Sequence, residues 1–113
     1  MTNLKILLIS ALISIATVLS YADQATKTKT LLVFGAKWCQ YCNVAKNDMN
    51  SHPQLSEIVK GYEIIELDVD KDKDIASGHN IKSLPTFIIF ENGKETARHT
   101  GYRGPKDLIR FLK

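Results

Sequence analysis

The chain has 113 residues, 44% of them apolar, and a formal net charge of +3. That length supports one folded domain. So small a basic excess, with no cluster of Lys and Arg interleaved with aromatics, argues against a nucleic-acid binder and against charge-driven attachment to an anionic membrane.

The first segment reads as a targeting signal. Met1 to Lys5 is a short basic start and Ile6 to Leu19 is apolar. Ser20-Tyr21-Ala22 then sets small residues at the −3 and −1 positions of a cleavage site before Asp23. The apolar run is marginal for crossing a bilayer core of about 30 Å. Residues 1–22 are therefore expected to be a cleaved signal peptide, the alternative being an uncleaved N-terminal anchor. No cysteine stands near the site for lipid attachment. Either outcome puts the domain in an exported compartment, where disulfides persist.

Residues 23–29 are polar and are expected to form a linker or leading edge before a domain covering 30–113. Leu31 to Ala36 is an apolar run, the pattern of a strand buried on both faces. Cys42, Ala45 and Met49 recur at helical spacing. They predict a helix from near Cys39 to about Ser51, because Pro53 disfavours helix at His52. Gln54 to Lys60 suits a short helical turn ended by Gly61. Tyr62 to Val69 mixes Ile64, Ile65 and Leu67 with acids and predicts a second strand. Asp70 to His79 predicts a helix with acids in its first turn, and Lys71-Asp72-Lys73-Asp74 reads as its solvated start. Thr86 to Phe90 is a third strand. Asn92-Gly93 supplies the positive φ angles of a type I′ hairpin, and Glu95 to Thr100 is the returning strand. Gly101 and Gly104 flank a loop. Pro105 fits the first position of a last helix, with an apolar stripe of Leu108, Ile109 and Leu112. The order is strand, helix, strand, helix, hairpin, helix. It implies an α/β fold with a mixed sheet of four to five strands flanked by helices.

The chemistry gathers in Lys37-Trp38-Cys39-Gln40-Tyr41-Cys42, which holds the two cysteines and the single tryptophan of the chain. Cys39 falls where a strand hands over to a helix. The unpaired N–H groups and positive dipole end there favour a thiolate. Cys42 lies one turn further on, on the same helix face, so the pair offers a nucleophile and a partner on which it can close. The rival use of such a pair is zinc binding, but closed zinc sites take four ligands. His52, His79 and His99 are scattered without motif spacing and read as surface or loop residues. No metal and no organic cofactor is expected.

Trp38-Cys39-Gln40-Tyr41-Cys42 at a strand-to-helix junction, followed by Leu84-Pro85-Thr86 ahead of a strand and an Asn-Gly hairpin, resembles the thioredoxin family over roughly Thr28 to Lys113. With the export signal and the Ala36-Lys37-Trp38-Cys39 lead-in, the chain is most similar to periplasmic thioredoxin-like proteins, among them the C-terminal domain of the membrane reductase DsbD. The resemblance implies a thioredoxin fold and thiol–disulfide exchange with protein substrates. It implies that Cys39 forms the mixed disulfide, that Cys42 resolves it, and that the Leu84–Pro85 bond is cis and faces the cysteines. The backbone at Leu84 would pair with the substrate chain as an added strand. Trp38, Gln40, Tyr41, Leu84, Pro85 and Gly101 would line the docking surface, to which Tyr102 is also a candidate.

The sequence departs from the family at two places. The buried Asp that thioredoxins carry six residues before the first cysteine is Val33 here, and Glu66 is the candidate to replace it as proton acceptor, its alternative being an ordinary surface carboxylate. The residues between the cysteines are Gln40-Tyr41 rather than Gly-Pro. Neither is cationic, and Lys37 beside them reads as solvated, which leans away from a strong oxidant. The reading is an exported, monomeric reductase fed by a membrane-embedded thiol donor, since an oxidising periplasm must receive electrons from elsewhere. The alternatives are an oxidase that donates its disulfide, and a binding module in which Cys39–Cys42 is only a local staple.

Overall fold

The computed structural model describes residues 29–113. The expected signal segment 1–22 and the linker residues 23–28 lie outside the described residues. Strand β1 (Lys29–Gly35) is followed by helices α1 (Gln40–Ser51) and α2 (Pro53–Val59), strand β2 (Glu63–Asp68), helix α3 (Lys73–Gly78), the hairpin β3 (Thr86–Glu91) and β4 (Lys94–Thr100), and helix α4 (Pro105–Leu112). Among the described residues the sheet is four-stranded, in the order β2-β1-β3-β4. β1 runs parallel to β2 and antiparallel to β3. The expected mixed α/β sheet is therefore present.

β1 lies inside the sheet because its apolar run can be covered on both faces. On one face Leu31, Phe87 and Ile89 pack with Ala45 and Met49 of α1, Leu55 and Val59 of α2, and Leu108, Ile109 and Leu112 of α4. On the other, Phe34 and Ile88 pack with Ala76 of α3, and with Leu32, Leu67 and Phe90 around them. Each large apolar side chain so buried contributes about 1.5–3 kcal/mol. β2 forms the edge, and its Ile64 and Ile65 stay exposed. The hairpin turns at Asn92 and Gly93, with φ of 53° and 79°.

Several local readings change. β1 starts at Lys29, two residues earlier than the apolar run, because Lys29 and Thr30 pair with Glu91 and Phe90 across the sheet. α3 is shorter than the expected 70–79. The acids before it are used in a turn, where the N–H of Asp68 donates to Asp72 Oδ2 and that of Asp70 to Asp68 Oδ1. The three histidines are all half-buried: His52 and His79 stand in the turns at helix ends, within the expected surface or loop positions, whereas His99 is on β4. His52 caps α2, its Nδ1 accepting from the N–H of Leu55. His79 sits between the rings of Phe34 and Phe90. His99 stacks on Phe111 and meets Asp107 at 2.9 Å.

Candidate active site

The sheet register brings the two sequence motifs together. Phe34, near the end of β1, pairs with Thr86 at the start of β3. The chain leaving β1 toward Cys39 therefore passes beside the chain entering β3 through Leu84 and Pro85. The Leu84–Pro85 peptide is cis, Pro85 is fully buried, and its carbonyl accepts from the N–H of Gly101 at 2.7 Å. Gly101 has φ of 90°, in the left-handed region that favours glycine.

Cys39 is the N-cap of α1, and Cys42 lies in the first turn. The two are joined by a disulfide, with Cα atoms 5.2 Å apart. Cys39 is 7% exposed, and its Sγ accepts from the N–H of Cys42 at 3.2 Å. One of the orphan donors of the helix start is thus aimed at the first sulfur. Close packing beneath the pair explains a glycine: a Cβ on Gly35 would stand 3.3 Å from the Cβ of Cys42.

One depression reaches the disulfide through Cys42, and a second is walled by Trp38, the residue before Cys39. A cleft of about 380 Å³ is reached by Cys42 and walled by Val33, Gly35, Lys46, Glu66 and Asp68. Val33 and Glu66 are register partners on β1 and β2, and Glu66 meets Lys46 at 2.9 Å, both side chains about half exposed. A groove of about 530 Å³ opens beside Trp38. Val69, Ala76, Ile81 and Leu84 give it apolar walls, and Lys73 and Lys82 stand at its side. Trp38 is 71% exposed, yet its Nε1 donates to Asp70 Oδ2 at 2.9 Å. Gln40 and Tyr41 are exposed on the first turn of α1 and, with Pro85 and Gly101, are not among the residues walling either depression. Lys37 is exposed, as expected, and its carbonyl accepts from Asn43 Nδ2.

Tyr102 is a correction. It is buried, not on the docking surface, and its hydroxyl donates to Asp48 Oδ2 of α1 at 2.6 Å. Burial and the neighbouring Asp48 carboxylate push its phenol above the usual tyrosine range, so it holds the loop after β4 against the cysteine-bearing helix as a neutral donor. Sequence reasoning also missed Asp70, Lys46, Lys73 and Lys82. Asp70 is 32 positions from Trp38, and no local pattern signals that contact. Lys46 was findable, since it stands one helical turn after Cys42. Among the described residues no group of three His, Cys, Asp or Glu side chains gathers as a metal-ligand set.

A family model described as a thioredoxin-like domain matches residues 16–113. Thioredoxin 2 of Plasmodium falciparum is 33% identical over 86 residues, 76% of this chain and 54% of the relative. The thiol:disulfide interchange protein DsbD of Campylobacter jejuni is 29% identical over 93 residues, 78% of this chain and 16% of that protein. This chain thus spans about half of the first relative and a small part of the second. A solved structure of the malaria parasite's thioredoxin-2 superposes with a TM-score of 0.63 at 30% identity, covering 75% of this chain and 81% of the other.

Proposed function

The chain belongs to the thioredoxin-like domain family, and from that premise we propose that it is an exported thiol–disulfide oxidoreductase that reduces disulfides in protein chains. The observation that carries this reading is the disulfide between Cys39 and Cys42, with Cys39 at the N-cap of α1.

In the reduced protein, the Cys39 thiolate attacks one sulfur of a substrate disulfide. The Cys39–substrate bond forms, the substrate S–S bond breaks, and the departing sulfur takes a proton. Cys42, deprotonated, then attacks Cys39 Sγ. The Cys39–Cys42 bond closes, the second substrate sulfur leaves as a thiol, and two electrons have passed to the substrate. The helix start favours the thiolate at Cys39. Glu66 is the acceptor for the Cys42 proton, because it walls the same cleft as Cys42. The backbone at Leu84 receives the substrate as an added strand next to Pro85, with Trp38, Gln40, Tyr41 and Gly101 around it.

The protein works as a monomer, released by cleavage after Ala22 into a periplasm, with residues 30–113 as its domain. A membrane-embedded thiol donor returns it to the dithiol state. The exported setting rests on the Ile6–Leu19 run and the Ser20-Tyr21-Ala22 site. Similarity to a protein named for thiol:disulfide interchange supports the exchange chemistry.

Cys39→Ser is expected to abolish reduction of insulin disulfides, whereas Cys42→Ser accumulates mixed disulfides on Cys39 that non-reducing gels resolve. A Cys39→Ser protein that still reduces insulin, with no trapped species in Cys42→Ser, would end the assignment.

A further inference from the structure

We propose that the groove beside Trp38 selects substrate segments in which an apolar residue next to the reactive cysteine is followed by a carboxylate. This rests on the exchange reaction proposed above and names the class of chain it acts on.

Three observations converge. The walls supplied by Val69, Ala76, Ile81 and Leu84 are apolar, so an aliphatic or aromatic side chain gains by entering. The indole of Trp38 donates to Asp70, which restricts the ring that follows β1 into Cys39 before a substrate arrives. The charges around the groove are unequal in availability. Asp70 is held by the indole, Asp72 accepts from the N–H of Asp68, and Asp68 accepts from the N–H of Asp70. Lys73 and Lys82 are exposed groove residues. Among the described residues neither has an ion-pair partner; the cations that do are Lys29, Lys46, Lys60, Arg98, His99 and Arg110. Asp68 and Asp72 are turned into the turn before α3 and Asp70 toward the indole, each bonded to a neutral donor and still charged, whereas the two ammonium groups have no such partner among the described residues and are left for an incoming chain. A carboxylate on that chain complements them, and a cation there is repelled.

The test uses three short peptides, each closed by one disulfide and alike except that leucine after the reactive cysteine is followed by glutamate, glutamine or lysine. The full-length reduced protein, mixed with each peptide for a single turnover, is expected to rank them glutamate, glutamine, lysine in second-order rate constant. Exposed ion pairs of this kind set the step at about two- to fivefold per lysine. Salt at 1 M shortens the screening length to about 3 Å and should flatten the ranking. Lys73→Gln/Lys82→Gln should erase it, and Lys73→Glu/Lys82→Glu should invert it. Because each ratio is taken on one preparation, a general loss of activity in a variant cancels. The inference is overturned if the wild-type protein ranks the peptides equally, or if the ranking survives in the double Gln variant. Reduction of hydroxyethyl disulfide, which is small and neutral, separates the two levels. A wild-type protein that reduces it but does not rank the peptides loses only this inference, whereas one that cannot reduce it loses the exchange reaction as well.

Discussion

At Val33 an apolar side chain stands where thioredoxins have a buried carboxylate, and the acid nearest in register is on the neighbouring strand. Glu66 meets Lys46 at 2.9 Å and its side chain is about half exposed, so the carboxylate is open to solvent rather than packed among apolar groups. A half-exposed acceptor exchanges protons quickly with water but gains little from a low local dielectric. It therefore contributes less than a buried base would. Glu66→Gln is expected to slow closure of the Cys39–Cys42 bond by about tenfold at neutral pH, below the usual range for general-base catalysis. The loss should shrink as pH rises and Cys42 ionises without help. Stopped-flow fluorescence of Trp38, which borders the disulfide, reads the closing step. Profiles for wild type and variant that coincide from pH 6 to pH 9 would reduce Glu66 to a surface charge.

At the scale of elements, α4 is fastened to β4 by Asp107 and His99. Burial works to raise the Asp107 carboxyl, but the hydrogen bond from His99, its charge and a backbone N–H of Arg103 outweigh it and hold the group below the usual carboxylate range. A carboxyl depressed in the folded state adds stability above its unfolded pKa of about 3.9 and loses that stability as pH falls through the lower folded value. Urea unfolding of wild type and Asp107→Asn should therefore differ at neutral pH, begin to converge below about pH 4 and meet once pH is under the lower folded value. Curves that stay parallel into acid would show that the pair carries no net stabilisation. The elements joined by this contact were legible in sequence because their signals are local: Asn92-Gly93 sets the hairpin and Pro105 opens the helix. Their environment was not. Ile64 and Ile65 mark β2 as a strand, but that pattern does not say that β2 is at the edge, where both are exposed. His99 is polar by type, yet its ring lies on Phe111. The CxxC pair and the Pro85 strand were readable as motifs. The Trp38–Asp70 bond and the two lysines of the groove arise from the folding of the α3 turn over the end of β1, which no spacing encodes.

For the whole molecule, the charge distribution bears on which way electrons run. A thiolate at Cys39 is favoured by the start of a 12-residue helix and by one backbone N–H. Gln40 and Tyr41 add no cation, and Lys46, the cation one turn after Cys42, is committed to Glu66. A net charge of +3 over 113 residues supplies no strong general field. The less the thiolate is stabilised, the less the dithiol form is favoured over the disulfide, and the more reducing the couple becomes. Equilibration of the full-length protein against dithiothreitol and glutathione series should therefore give a potential near the thioredoxin value of about −270 mV. In an oxidising compartment such a couple stays oxidised unless a donor feeds it, which is the ground for proposing a membrane thiol donor. A potential near that of strong oxidants, about −120 mV, would reverse the direction. The same disulfide would then be given to newly exported chains, and the partner to seek would be an enzyme that reoxidises Cys39 and Cys42.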